Sequence, residues 1–148
     1  MTKITFVCTG NICRSSLAEG IIRHLSSKII ASSSGIEKYH AGEKPDYRAL
    51  EVAKENGVDM QGLFAKQITM QDIIENDYIF AVTHKHKNKI LKHCPEEFAH
   101  KVHNLLEFCK IENKWNNDII DPYYGTKKDF QEVYDLISQS CKRLVEIL

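Results

Sequence analysis

Two cysteines and an arginine lie close together near the start of the chain, in the segment FVCTGNICRSS at residues 6–16. A zinc site would need a second cysteine pair to complete its ligands, and Arg14 next to Cys13 would oppose a metal cation. The spacing favours an anion instead, because the five residues between Cys8 and Arg14 allow successive N–H groups to surround one tetrahedral oxyanion. The guanidinium would then bind a pair of its oxygens. We call residues 8–14 the anion loop, with Cys8 at its base as the candidate nucleophile.

The composition favours one enzyme domain over residues 1–148. Twenty basic and twenty acidic residues leave no formal net charge, unlike the positive excess of nucleic-acid binders. No apolar run approaches the ~20 residues that a membrane span requires, and the residues after Met1 do not resemble a signal peptide. We therefore expect a cytoplasmic protein with reduced cysteines and with no nucleic-acid or membrane partner.

Apolar runs alternate with helical patterns along the chain, which is typical of a doubly wound α/β fold. Strands are predicted at Ile4–Val7 and at residues 28–33, 77–82 and, more weakly, 101–105. Helical patterns occur at Leu17–Leu25, at residues 46–56, 68–76 and 84–94, and at Phe130–Leu148. The expected fold is a single-domain, doubly wound, four-stranded parallel sheet flanked by helices.

Three helices carry side-chain signals at their starts. Ser16 and Glu19 have the spacing of a capping box, and Thr69 precedes the apolar pattern of a second helix. Asp129 and Glu132 are the predicted start signal of the last helix.

A strand precedes the anion loop and a helix follows it. The loop therefore lies at the carboxyl end of a parallel strand and at a helix N-terminus, where unpaired N–H groups and the helix dipole favour an anion. Gly10 and Asn11 suit tight or left-handed turns. The Ser15 hydroxyl could stabilise a Cys8 thiolate.

Five histidines follow the predicted third strand, at positions 84, 86, 93, 100 and 103, together with Cys94. Their spacing does not place three ligands on one helical face. We predict a solvated surface there rather than a metal site. We expect neither a metal nor a cofactor.

The segment VCTGNICRSS resembles the signature of the low-molecular-weight protein tyrosine phosphatases. A second match is DIIDPYYG at residues 118–125, which we call the acid loop, and SSSG, KPDYR, AKQIT and DYI match further family blocks in order. The resemblance implies a phosphatase with Cys8 as nucleophile and Asp121 as general acid and base. It implies that the phosphoryl group is bound by Arg14 and by the residues of the loop, namely Thr9, Gly10, Asn11, Ile12, Cys13 and Ser15.

Such chemistry imposes opposite protonation states on two residues. Cys8 has to attack phosphorus as a thiolate and form a phosphocysteine, which divides one difficult hydrolysis into two easier steps. Asp121 has to be protonated at the same time, because it donates a proton to the leaving phenolate. We therefore expect a bell-shaped pH profile with a mildly acidic optimum.

The substrate class is predicted from the walls of the site. Phosphotyrosine needs a deep pocket with flat sides, for which Tyr123, Tyr124 and either Tyr39 or His40 are candidates. Ile12 resembles the tyrosine-directed members of the family, whereas a threonine there resembles the arginine-directed ones. The expected partners are phosphotyrosine-containing proteins, with phosphate and other oxyanions as inhibitors.

Several positions depart from the family pattern. Leu63 falls about where many relatives carry a histidine that supports Asn11 and Ser15, which leaves Ser34 as the remaining candidate for that support. Thr83 and His84 replace a commonly acidic pair.

The resemblance also implies that Cys8 and Cys13 can form a protective disulfide under peroxide.

Two alternatives to a phosphatase remain at this point. A thioredoxin-coupled arsenate reductase shares the fold and loop but needs two further neighbouring cysteines, whereas Cys94 and Cys109 are fifteen residues apart. A non-catalytic phosphotyrosine-binding module is the other alternative, and the presence of Cys8, Arg14 and Asp121 together argues against it.

Overall fold

A parallel four-stranded sheet forms the centre of the molecule, here described over residues 1–148 from a computed structural model. The strands are β1 (Thr2–Cys8), β2 (Ile29–Gly35), β3 (Tyr78–Ala81) and β4 (Val102–Asn104), in the order β2-β1-β3-β4 across the sheet. All three pairings are parallel. The predicted fold class is confirmed, including the weak fourth strand.

Helices cover both faces of this sheet. They are α1 (Arg14–Leu25), α2 (Tyr47–Glu55), α3 (Met70–Glu75), α4 (His84–His93), α5 (Leu105–Cys109) and α6 (Lys127–Ile147), with short 3-10 turns at Glu96–Lys101 and Pro122–Tyr124. The sequence did not predict α5, which follows β4 directly. None of the helices combines the length and apolar character that would let it cross a membrane.

The central strand β1 is buried on both faces, which explains why it reads as a continuous apolar run. Successive side chains of a strand point to opposite faces, so Phe6 and Val7 enter different cores. Phe6 belongs to the larger core with α1 and α6, and Val7 to a smaller core with Ile73 of α3 and Ile90 of α4.

The predicted capping box at Ser16 and Glu19 is wrong. Helix α1 already begins at Arg14, and its N-cap residue Cys13 makes no side-chain cap. Ser16 donates its hydroxyl to the Cys13 carbonyl, and Glu19 accepts a hydrogen bond from Ser33. The first N–H groups of α1 are therefore without a side-chain acceptor at the end of the anion loop.

The other start signals have mixed outcomes. Thr69 caps α3 as predicted, by accepting a hydrogen bond from the Asp72 N–H. Asp129 accepts from the Thr126 N–H at 2.7 Å and marks the start of α6, as predicted. Glu132 has no such role, since its carboxylate pairs with Lys114 at 2.7 Å.

The chain passes from β1 to β2 on one side of it and then crosses to β3 on the other side. The anion loop follows β1 at this switch point between β1 and β3. In open α/β sheets this is where ligands bind, outside the carboxyl ends of the strands. Backbone pairing holds the start of the loop against the end of β2, because Ile36 N–H donates to the Cys8 carbonyl and Glu37 N–H to the Thr9 carbonyl, each at 2.9 Å. Gly35, the last residue of β2, lies where the backbone of β2 comes closest to the backbone of the anion loop.

Substitution of Gly35 by alanine tests this contact. A Cβ there would lie 2.7 Å from the Thr9 carbonyl oxygen and 3.0 Å from the Gly10 carbonyl carbon, both of which are backbone atoms that cannot rotate away. We expect Gly35→Ala to cost about 1–3 kcal/mol in the free energy of unfolding. We also expect it to weaken inorganic phosphate binding, measured by calorimetry.

Gly20→Ala is the matched control, because its Cβ would meet only the flexible side chain of Met60 and that of Val58. Unchanged phosphate affinity in Gly35→Ala would show that the loop does not depend on this approach.

Candidate active site

The anion loop forms the floor of a small pocket of about 100 Å³. Cys8 is the last residue of β1 and Arg14 the first of α1, so a strand end and a helix start hold the two ends of the loop. Residues 118–125 of the acid loop reach the same pocket from the distant part of the chain. Its lining consists of Cys8, Thr9, Gly10, Ile12, Cys13, Arg14, Tyr39, His40, Asp121, Tyr123 and Tyr124.

Asn11 determines the shape of the loop. It is buried and adopts a left-handed conformation with φ of 60°, which asparagine tolerates better than most residues. The backbone N–H of Lys66 can only donate, so the side-chain atom that faces it at 3.0 Å is the Asn11 Oδ1. Its Nδ2 therefore faces Ser15 at 2.8 Å and Ser33 at 2.9 Å and donates to both.

This orientation determines where the Ser15 proton points. The Ser15 oxygen accepts from Asn11, so its own single proton is available for a second partner. Two acceptors are within reach, the Cys8 Sγ at 2.9 Å and the Ser34 carbonyl at 3.3 Å. The shorter distance favours a hydrogen bond from Ser15 to the Cys8 sulfur, which stabilises a thiolate.

Ser33 and Glu19 extend the support beneath the loop, and the sequence reasoning missed both. The Ser33 hydroxyl accepts from Asn11 and donates to Glu19 Oε1 at 2.6 Å. Glu19 is itself paired with Arg23. Ser34 offers the loop only its carbonyl, as the longer alternative acceptor for the Ser15 proton at 3.3 Å, and its buried hydroxyl has no partner.

The departure at Leu63 does not leave Asn11 without support. Leu63 is partly buried and packs against the larger core. The Lys66 N–H, three residues further along, supplies the hydrogen bond to the amide oxygen of Asn11. A backbone group carries no signal in the residue types, so the sequence could not reveal it.

Arg14 is buried and spans the two loops. Its Nη1 donates to the Ile119 carbonyl at 2.9 Å, and its Nη2 lies 3.4 Å from Thr9 Oγ1 and 3.5 Å from Asp121 Oδ2. Nη2 of the guanidinium thus lies between the anion loop and Asp121, while Nη1 is held by the carbonyl of Ile119 in the acid loop.

Asp121 lies at the mouth of the pocket, with its side chain 41% exposed. Its Oδ1 accepts from the Tyr123 N–H at 3.1 Å, which leaves Oδ2 directed at Arg14. The preceding residues anchor the acid loop, because Ile119 N–H donates to the Val82 carbonyl and Asp118 accepts from the His84 N–H at 2.7 Å.

Arg48 is a second residue whose role the sequence did not indicate. It forms a two-point ion pair with Asp46 and donates to the Tyr123 carbonyl at 2.9 Å. Its guanidinium carbon lies 4.6 Å from the centre of the Phe130 ring. These contacts lower the pKa of Asp46 and raise that of Arg48, mainly through their shared hydrogen bonds against the cost of burial. Arg48 thus fixes the acid loop to the start of α2.

Aromatic rings line the entrance of the pocket. Tyr39 and His40 make an edge contact with ring centres 5.9 Å apart, and Tyr123 and Tyr124 make another at 4.9 Å. His40 also faces Tyr123 across the pocket at 6.4 Å. Gly10 allows this wall to close on the loop, because a Cβ there would meet the His40 ring at 2.7 Å.

The cysteines differ in their surroundings. Cys13 lines the pocket, and burial together with the nearby carboxylate of Asp46 raises the pKa of its thiol far above the usual range. Burial raises the pKa of Cys109 to about 12 and also raises that of Cys141. Of the five thiols, only that of Cys8 lies within hydrogen-bond distance of a hydroxyl.

The histidine run is not uniformly a solvated surface. His86 is buried, and its ring bonds Thr9 and Thr83, so the prediction was wrong for this residue. His103 is half-buried among Phe80, Phe108 and neighbouring rings. No group of three or more His, Cys, Asp or Glu side chains is arranged to hold a metal ion.

Comparison with known proteins identifies the family. The family model described as low molecular weight phosphotyrosine protein phosphatase matches residues 3–148. This chain belongs to that family.

Individual relatives in this family can be aligned with the chain over nearly their whole length. YfkJ of Bacillus subtilis, named a low molecular weight protein-tyrosine-phosphatase, is 33% identical over 98% of this chain and 94% of its own. The crystal structure of a protein tyrosine phosphatase from Entamoeba histolytica, with Hepes in its active site, matches with a TM-score of 0.90 at 33% identity. That match covers 99% of this chain and 96% of the Entamoeba chain.

One further relative of this family was solved with a phosphate-like ligand. Wzb of Vibrio vulnificus, in complex with benzylphosphonate, matches with a TM-score of 0.89 at 30% identity and covers 99% of both chains.

Alkylation tests the hydrogen bond from Ser15 to Cys8. Iodoacetamide at mildly acidic pH should modify Cys8 before the other thiols, because burial raises the pKa of Cys13, Cys94, Cys109 and Cys141 and keeps these thiols protonated. Ser15→Ala should slow this reaction about tenfold, since a hydrogen bond to a charged group is lost. The modified residue and its rate are measured by peptide mass spectrometry.

Ser16→Ala is the control, since that hydroxyl bonds the Cys13 carbonyl and not the sulfur of Cys8. Equal alkylation rates in Ser15→Ala and Ser16→Ala would remove Ser15 from this role.

Proposed function

We propose that this chain hydrolyses phosphotyrosine in proteins through a phosphocysteine intermediate, with residues 1–148 acting as one catalytic domain. One observation carries the proposal: Cys8, Arg14 and Asp121 line the same 100 Å³ pocket, although Asp121 lies far along the chain from the other two. The three side chains provide a nucleophile, an oxyanion clamp and a proton donor, which together are the groups that phosphomonoester hydrolysis requires.

Binding relies on the loop and Arg14. The phosphoryl oxygens are bound by N–H groups of the loop from Thr9 to Ser15, at the N-terminus of α1 that no side chain caps. Arg14 turns its two N–H groups from the Ile119 carbonyl and from Asp121 toward the phosphoryl oxygens. Asp121 then faces the bound phosphoryl group instead of the guanidinium.

The first chemical step forms the bond between Cys8 Sγ and phosphorus and breaks the bond between phosphorus and the phenolic oxygen. Asp121 transfers its proton to that oxygen, so tyrosine leaves as a neutral phenol. In the second step Asp121 removes a proton from water, the water oxygen bonds to phosphorus, and Cys8 leaves as a thiolate. Inorganic phosphate is the product, and the Ser15 hydroxyl stabilises the thiolate before and after the cycle.

The aromatic wall supports phosphotyrosine as the substrate. A ring attached to the phosphate would pack against the aromatic side chains of Tyr39, His40, Tyr123 and Tyr124, which line the entrance of the pocket above the loop. A phosphoserine would place its phosphate short of the loop. Ile12 adds an apolar contact at the pocket. Phosphate and other oxyanions compete for the same N–H groups, and the cytoplasmic location stays a prediction.

Oxidation of the site is a further prediction. Peroxide would convert the Cys8 thiolate to a sulfenic acid, and Cys13 would displace its hydroxyl as water to form the disulfide. The raised pKa of Cys13 opposes this second step, because the thiol and not the thiolate predominates. We therefore expect the disulfide to form slowly.

Nothing in the fold favours the arsenate reductase alternative. Cys94 lies at the end of α4 and Cys109 is buried in α5, and neither lines the pocket with Cys8. The acid loop would have no part in that chemistry.

A parallel assay of three phosphorylated compounds tests the proposed function. The wild-type protein should release phosphate from a phosphotyrosine peptide at least about tenfold faster than from phosphoserine or phosphoarginine, a difference of about 1.4 kcal/mol in activation free energy. Cys8→Ser should abolish turnover while still binding inorganic phosphate. Turnover by Cys8→Ser would contradict the covalent mechanism, and equal rates on all three compounds would contradict the specificity.

Asp121→Asn tests the general acid. The variant keeps the size of the side chain but carries no proton that it can transfer, so kcat should fall about 10²-fold or more for phosphotyrosine. For an aryl phosphate with a strongly acidic leaving group the loss of kcat should be much smaller. The pH profile of the variant should be flatter than that of the wild type and lack its mildly acidic optimum. Equal losses on both substrates would assign Asp121 another role.

A further inference from the structure

A buried histidine outside the predicted machinery bonds to the anion loop. The Nε2 of His86 lies 2.8 Å from Thr9 Oγ1, and its Nδ1 lies 2.8 Å from Thr83 Oγ1. The ring therefore bridges the second residue of the loop and the residue that caps α4. Neither the family resemblance nor the proposed mechanism gives His86 a role.

The first turn of α4 contacts both loops of the site. Through His86 it bonds the anion loop, and through the His84 N–H it bonds Asp118 of the acid loop at 2.7 Å. Next to this turn, the Val82 carbonyl accepts from the Ile119 N–H at 3.0 Å. The Ile119 carbonyl in turn accepts a hydrogen bond from Arg14. The contacts of this turn with the anion loop and with the acid loop therefore both lead to the Arg14 guanidinium.

The hydrogen bonds around His86 have a consistent direction. Arg14 Nη2 can only donate, so Thr9 Oγ1 accepts from it at 3.4 Å. The Thr9 proton is then free to be donated to His86 Nε2, which makes Nδ1 the protonated ring nitrogen. That N–H donates to Thr83 Oγ1, which also accepts from the His86 backbone N–H at 3.1 Å.

We propose that His86 is a positioning residue that holds the Thr9 hydroxyl as a fixed acceptor for Arg14 and so directs the guanidinium into the anion loop. The inference deepens the proposed function and rests on it in one respect, namely that the loop binds a phosphoryl group. Thr9 alone could rotate its hydroxyl away from Arg14, because an isolated threonine χ1 has more than one allowed rotamer. The bond to His86 selects one of them.

The charge state of His86 suits this role. Burial and, after it, the positive charges of Arg14, Lys89 and Lys85 together lower its pKa to about 3. A histidine is neutral above its pKa, so the ring keeps one acceptor and one donor nitrogen throughout the mildly acidic range. The position of Arg14 is thus maintained at the pH where Asp121 has to be protonated.

Two amide substitutions separate the two bonds of the ring. The glutamine side chain in His86→Gln reaches about as far as Nε2 and can still bond Thr9, whereas that in His86→Asn reaches only about as far as Nδ1 and can bond Thr83 alone. Inorganic phosphate affinity is measured by titration calorimetry, together with kcat/KM on an aryl phosphate. His103→Gln is the control, since that ring packs among Phe80, Phe108 and Tyr78 and does not touch the site.

We expect His86→Asn and Thr9→Val each to weaken phosphate binding about tenfold, as for the loss of one hydrogen bond in a charged network. His86→Gln should stay within about threefold of the wild type, and the Thr9→Val, His86→Asn double variant should bind like Thr9→Val alone. Nitrogen NMR of the wild-type ring should show Nδ1 protonated and Nε2 bare.

Equal affinities in the two amide variants, or additive losses in the double variant, would overturn the proposal. Thr9→Val changes only a partly exposed loop residue and keeps its shape, so unchanged phosphate affinity in this variant overturns the proposal even if His86→Asn does not fold. If the wild type and the variants bind phosphate as expected but the wild type turns over no substrate, the proposed function is contradicted while the role of His86 in phosphate binding still stands.

Discussion

The orientation of one buried amide underlies the whole site. Lys66 N–H can only donate to Asn11 Oδ1, so the Asn11 amide must donate to both Ser15 and Ser33. The Ser15 proton is then left for the Cys8 sulfur. The curvature of the loop requires a left-handed backbone conformation at position 11, and the three hydrogen bonds of the Asn11 side chain hold the residue in that conformation. The nucleophile and the anion-binding curve therefore depend on the same residue.

The parallel sheet brings the remaining groups to this loop. The carboxyl ends of β1 and β3 lie side by side, so the anion loop and the start of α4 meet at one edge. The acid loop is tied to that edge by the Val82 carbonyl and to α2 by Arg48. Arg14 then bonds to the acid loop from the other side. Each contact joins segments that are distant in sequence, and no local propensity could form the site without the complete fold.

The predictable features of the fold and the site are those encoded in patterns of side chains. β1 was predicted because a strand buried on both faces reads as an apolar run, and Cys8 and Arg14 because their types and spacing suit an anion site. Asp121 was expected only from the family resemblance, since its own segment reads as a plain turn. The Lys66 N–H was invisible because it is a backbone group. His86 was misread because the lysines around it give α4 a polar appearance, although one turn of that helix faces the loop.

The direct test of the account is whether phosphorus becomes bonded to Cys8. The protein is mixed with an aryl phosphate that has a strongly acidic leaving group, quenched in acid within one turnover, digested and analysed by peptide mass spectrometry. The account predicts one phosphoryl group on the Cys8 peptide and a larger trapped fraction when Asp121→Asn slows the attack of water. Rapid turnover by the wild type with no phosphoryl group on Cys8 at any time would contradict it.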